Sequence, residues 1–225
     1  MVQIPANYLQ SSSSRIQHIQ KVILEDLRPV RPLPPSWALV LAFGLVFAGV
    51  SYWGVSLVGA YGWMALNQSQ RLALFAMLGA SAVPLAVSLT QQMVPGQISW
   101  FREEWLPIAV SVSLSLTSLG VFPLHPDTRY SAASGSCFRT GFPYTILAGV
   151  VFWLILRQGA LLSPRIVGAT AGMLAGLVGT TVLEVYCPNH NLWHVVVGHF
   201  GIAFLGMIAG FLIAIGGQTV HRRRS

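Results

Sequence analysis

The sequence predicts an all-α integral membrane protein with six transmembrane helices and both termini on the cytoplasmic side. Three observations predict it. The chain is 54% hydrophobic with only 8% charged residues, a composition unlike that of an ordinary soluble domain. Its apolar residues gather into six stretches, 37–59, 72–95, 105–124, 142–159, 166–186 and 192–217. Each approaches the roughly 20 residues that a helix needs to cross a hydrocarbon core about 30 Å thick. With the N-terminus inside, ten basic residues (Arg15, Lys21, Arg28, Arg31, Arg102, Arg157, Arg165, Arg222, Arg223 and Arg224) fall on the inner side, against Arg71, Arg129 and Arg139 outside. That asymmetry sets the orientation.

Spanning segments must satisfy their own backbone hydrogen bonds in lipid, so each stretch is expected to be helical. Residues 1–36 are polar and are expected to form a cytoplasmic segment without a cleavable signal. Within it, Ser14 and Gln17 fit a capping box, and Ile16, Ile19, Ile23 and Leu27 recur on one helical face. Pro29 ends the pattern, and the proline-rich run through Pro35 cannot continue it. So short a helix is marginal alone in water, and its apolar face needs a cover. Membrane lipid at the interface is one; a groove on a soluble protein is the other, with Arg28 and Arg31 as flanking contacts.

Residues 37–217 are the six-helix transmembrane domain, and 218–225 form a basic cytoplasmic tail suited to anionic headgroups. Pro84 is expected to kink the second span. Gly168, Gly172 and Gly176 on the fifth span, with Gly206 and Gly210 on the sixth, read as faces for close helix packing. The net charge of +7 is no nucleic-acid signal, because the basic residues occupy topogenic positions instead of lining one surface.

The outer side then holds three loops. The first, around Tyr61–Gln70, carries Trp63 as an interfacial residue; the second, His125 to Gly141, contains Cys137; the third is the turn-rich hairpin Cys187–Asn191. Both cysteines thus face outward, where a bacterial envelope would permit a disulfide. Glu184 and His194 flank the hairpin at similar depth, and ionisable groups at membrane depth are functional candidates by default. Cys137, Cys187, His190, His194 and Glu184 therefore make a possible site for zinc or another soft metal ion. His199 lies five residues past His194, about 140° around an ideal helix, and is expected to face elsewhere. Interfacial histidines, a snorkelling carboxylate, a structural disulfide and inert thiols are the plainer readings of these residues.

The chain resembles a known family. The likeness rests on Leu24–Pro35 (LEDLRPVRPLPP) before the first span, Ser136-Cys137, and Leu156–Arg165 (LRQGALLSPR) before a glycine-rich span. It continues with Tyr186-Cys-Pro and Trp193-His194. Together these resemble the NrsF, or negative regulator of sigma F, family of six-span membrane proteins. The chain departs from the family pattern after the Cys-Pro pair, where Asn189-His190 stands in place of acidic character.

The resemblance implies an anti-sigma factor of the bacterial inner membrane that acts on transcription in a stress response. Its partner would be an extracytoplasmic-function sigma factor, released on an outside metal or oxidative signal. The sensing cysteines would be Cys137 and Cys187, with no cofactor required and no direct contact with nucleic acid. A membrane metal-binding redox protein or transporter using the same Cys/His cluster is the alternative. The chain lacks HExxH, GxSxG, CxxC and phosphate-cradling motifs, so no enzymatic activity is expected.

Overall fold

A computed structural model describes residues 33–94, 104–122, 130–159, 161 and 163–222, with the side chains of 130–134 and 218–222 left aside. The expected N-terminal helix, with Ile16, Ile19, Ile23, Leu27, Arg28 and Arg31, lies outside the described residues, as does the far end of the basic tail. The described helices all belong to one compact unit, Pro34–Ser225.

Among the described residues the architecture is all-helical. Helix α1 spans Ser36–Val58, α2 Tyr61–Ala65, α3 Gln68–Met93, α4 Leu106–Val121, α5 Tyr130–Leu156 and α6 Pro164–Tyr186. A π-helical segment, His194–His199, then leads directly into α7, Phe200–Arg222. Five of these are long and apolar enough to cross a membrane: α1, α3, the stretch Gly135–Leu156 of α5, α6, and His194–Gly217. Helix α4 is apolar but has only 16 residues, about 24 Å of helix. It is shorter than the expected span 105–124, and Pro107 stands in its first turn.

Three other boundaries differ from expectation for local reasons. Helix α3 begins at Gln68 because Asn67 accepts from the Gln70 backbone while the Gln70 side chain accepts from the Asn67 backbone, a complete capping box. Helix α5 begins at Tyr130, so Cys137 sits on a helix and not in an outer loop. The final span opens as π-helix, which alters the angular positions of its first side chains.

The bundle is apolar outside as well as inside. Leu45, Leu57, Leu116, Ile146, Leu212 and Ile213 are all exposed, a distribution suited to lipid. The core is α6, whose apolar window is 72% buried while the other four lie between 17% and 50%. Its glycines explain why. Gly168 lies against Gly210, Gly172 against Gly206 and Gly176 against Ala203, so the backbones of α6 and α7 touch directly. Such contact replaces the hydrophobic effect, which gives no drive between helices in lipid.

Opposite ends of the helices meet in a consistent order. The Gln70 side chain, at the start of α3, donates to the Val121 carbonyl at the end of α4, 3.3 Å away. Phe122 stacks on His190, in the turn after α6, with ring centroids 5.7 Å apart. Tyr61 of α2 meets Tyr186 at the end of α6, edge to face. These contacts define one rim of the bundle. At the other end Gly159, just past α5, packs against Met93 at the end of α3.

Candidate thiol and imidazole site

The rim holds a buried cluster of two thiols and two imidazoles. Cys137, Cys187, His194 and His199 each offer one ligand atom, and the four atoms all lie within 4.8 Å of one another. The Cys137 and Cys187 sulfurs lie 3.4 Å apart, within hydrogen-bond reach. His194 Nε2 lies 3.4 Å from both sulfurs. Both cysteines are free thiols, and all four side chains are buried.

Each element reaches the cluster for a sequence reason. Gly141 is one helical turn beyond Cys137 on α5, and its bare face lets α5 approach Leu183 of α6 and Ile202 of α7. Cys137 is thereby carried against Cys187, and the two pack with Leu183 and Ile202 in one apolar cluster. Cys187 ends α6 with its backbone N–H bonded to the Leu183 carbonyl at 2.7 Å. The turn after it is built by Asn189 and Asn191, whose side chains accept from backbone N–H groups two residues on, at 3.1 Å each. Helix α2 closes the site from the side, with Gly62 directly on the Cys187 backbone. A Gly62→Val variant is therefore expected to push α2 off the site and raise the rate at which Cys187 reacts with a small thiol reagent, read by mass spectrometry.

His199 corrects the sequence reading. On an α-helix it would point well away from His194, but a π-helix bonds residue i to i+5 and winds more loosely. The two rings meet edge to face with centroids 5.0 Å apart. Thr180 of α6 donates to the His199 carbonyl at 2.9 Å, anchoring the segment where the winding changes. The signal present in the sequence was a second histidine in an apolar span with a carboxylate near the same end.

Glu184 is that carboxylate. It is fully buried, and its Oε1 accepts from His199 Nδ1 at 2.9 Å. That contact leaves His199 Nε2 as the ring nitrogen without a well-aligned hydrogen bond. Glu184 and His190, both expected as ligands, lie outside the four-atom group. His190 Nε2 instead sits 3.4 Å from the Glu184 carbonyl and 3.9 Å from its carboxylate. Burial pushes the His190 pKa down, against the opposing pull of the Glu184 charge. The Cys187 thiol is pushed up, first by its hydrogen bond with Cys137 and then by burial.

Chemically the cluster offers two soft donors and two borderline ones, suited to thiophilic metals, and a thiol pair open to oxidation. Forming a disulfide would require the sulfurs to close from 3.4 Å to about 2.05 Å.

Residues 24–216 match the family model described as NrsF, negative regulator of sigma F. No match is found among curated proteins or among solved structures.

Proposed function

The chain belongs to the negative regulator of sigma F (NrsF) family, and from that premise we propose that it is a membrane anti-sigma factor whose rim cluster reads an external signal. A negative regulator of this family has a sigma factor as its partner, and we assign an extracytoplasmic-function type. The observation that carries the sensing role is the gathering of Cys137, Cys187, His194 and His199 into one buried group from three elements. A metal or an oxidant acting there changes how α5, α6 and the π segment are tied together.

The proposed setting is the bacterial inner membrane, with six crossings and both termini in the cytoplasm. The Gln70–Val121 contact supports α4 as a full crossing, because its far end reaches the level at which α3 begins. The basic-residue asymmetry supports the orientation. The thiols then face the periplasm, while the segment holding Ile16, Ile19, Ile23, Leu27, Arg28 and Arg31 faces the sigma factor. The account requires no catalytic group and no resident cofactor. The continuous α6–α7 glycine contact supports mechanical linkage, because packed backbones shift as a unit and not by gradual deformation.

The test is co-purification. Full-length protein extracted in mild detergent is expected to retain an extracytoplasmic-function sigma factor of the same cell when both are produced together. Deleting residues 1–35 is expected to abolish retention while the membrane domain still accumulates. Failure of the full chain to retain any sigma factor contradicts the reading.

A further inference from the structure

We propose that Cys137, Cys187, His194 and His199 are the four ligands of a site for a thiophilic divalent cation of the zinc and cadmium class, with Glu184 as the positioning residue for His199. The proposal rests on reading this cluster as the sensor only for its consequence in the cell.

Four features point to a cation and not to oxidation of the thiols alone. First, a disulfide would use two sulfurs and leave both imidazoles without a role, yet all four donor atoms converge within 4.8 Å. Second, ligand atoms on a tetrahedral zinc, with bonds of about 2.0 to 2.3 Å, stand roughly 3.3 to 3.8 Å apart. Three of the distances among the donors, Cys137 to Cys187 and each sulfur to His194 Nε2, are 3.4 Å.

Third, His199 carries the outer-shell partner that metal-bound histidines usually have. Its Nδ1–H donates to the Glu184 carboxylate at 2.9 Å, which fixes the tautomer and directs the Nε2 lone pair away from Glu184. That Nε2 is buried and makes no well-aligned hydrogen bond, with the thiol of Cys187 nearby. An imidazole nitrogen sealed without a well-aligned partner is costly, and a metal bond removes the cost. Fourth, two thiolates cancel the charge of a divalent cation, which leaves the Glu184 carboxylate, held by His199, as the remaining charge at the site. The donor set excludes magnesium and calcium, which take oxygen ligands.

The site draws on three separate elements: Cys137 from α5, Cys187 from the end of α6, and both histidines from the π segment. Filling it ties those elements together. It also gives the π winding a role, because the i to i+5 geometry turns His199 toward His194.

The experiment uses reduced, metal-free, full-length protein in detergent, titrated with Co²⁺ as spectroscopic probe. Expected are a thiolate-to-cobalt charge-transfer band and the intense visible bands of four-coordinate cobalt, saturating at one equivalent. Zn²⁺ and Cd²⁺ are expected to displace the cobalt, and Mg²⁺ to leave it. Glu184→Gln should keep the tetrahedral spectrum and weaken affinity about 10- to 100-fold. His199→Ala should lose the tetrahedral bands, and His190→Ala should bind as the wild type does.

The wild-type spectrum alone decides the ligand number should His199→Ala fail to fold. Absence of the charge-transfer band, or a six-coordinate spectrum, overturns the proposal, as does a folded His199→Ala protein that binds like the wild type. Metal binding without sigma-factor retention would instead overturn the functional reading and leave the site standing.

Discussion

Gly172→Leu is expected to prevent the protein from accumulating in folded form, whereas Gly79→Leu is expected to leave it intact. A side chain at Gly172 would be driven into the carbonyl of Gly206 on the facing helix. Flexible side chains can yield to added methylenes at about 1 to 3 kcal/mol. A backbone carbonyl cannot rotate aside, so α6 and α7 must separate and break the neighbouring contacts of Gly168 and Gly176 as well. The loss should reach the upper end of that range or exceed it, against a total stability of roughly 5 to 15 kcal/mol. Gly79 on α3 has open space around it, and leucine there gains helix propensity. The measurement is the yield of monodisperse protein in detergent and its thermal midpoint. A Gly172→Leu protein as stable as the wild type would contradict the packing described for the core.

Cys137→Ser and Cys187→Ser are each expected to abolish the response to an external thiophilic metal or thiol oxidant while leaving repression of the sigma factor in place. Both sulfurs lie 3.4 Å from the same imidazole nitrogen, so removing either dismantles the shared group. Serine keeps the shape of the side chain and removes its soft donor and redox chemistry. Moving a two-state protein from 1% to 99% in its released form takes about 5.5 kcal/mol of differential interaction. Metal binding and disulfide formation both reach several kcal/mol, and a hydroxyl supplies neither. A sigma-dependent reporter reads the outcome: low basal signal in both variants, and no induction. A single variant that still responds like the wild type would remove the thiols from the sensing role.

Much of the fold was legible because hydropathy and length act locally. Five expected spans reappear as helices long enough to cross, and the tight turn after Cys187 lies where turn formers cluster. The close face of Gly168, Gly172 and Gly176 was visible as a four-residue repeat and became the α6–α7 contact. What the sequence hid depends on winding and three-dimensional convergence. The regular α-helical period misplaced His199, because the π segment breaks that period. Glu184 was identified as significant but its partner was not: hydrophobic periodicity cannot show that a buried carboxylate will meet the imidazole of His199. His190, with ligand-like spacing from Cys187, turned away to stack on Phe122, a contact between segments nearly seventy residues apart in the chain. Cys137 was assigned to a loop because its polar surroundings, Ser134 to Thr140, conceal a helix start that apolar content does not mark.

The most direct test of the central claim follows the sigma factor itself. Membranes carrying wild-type or Cys187→Ser protein are exposed to Cd²⁺ from outside, and the sigma factor retained on the purified protein is quantified before and after. The account predicts equal retention before exposure, loss from the wild type afterwards, and none from the variant. Equal loss from both proteins, or retention by the wild type throughout, would contradict it.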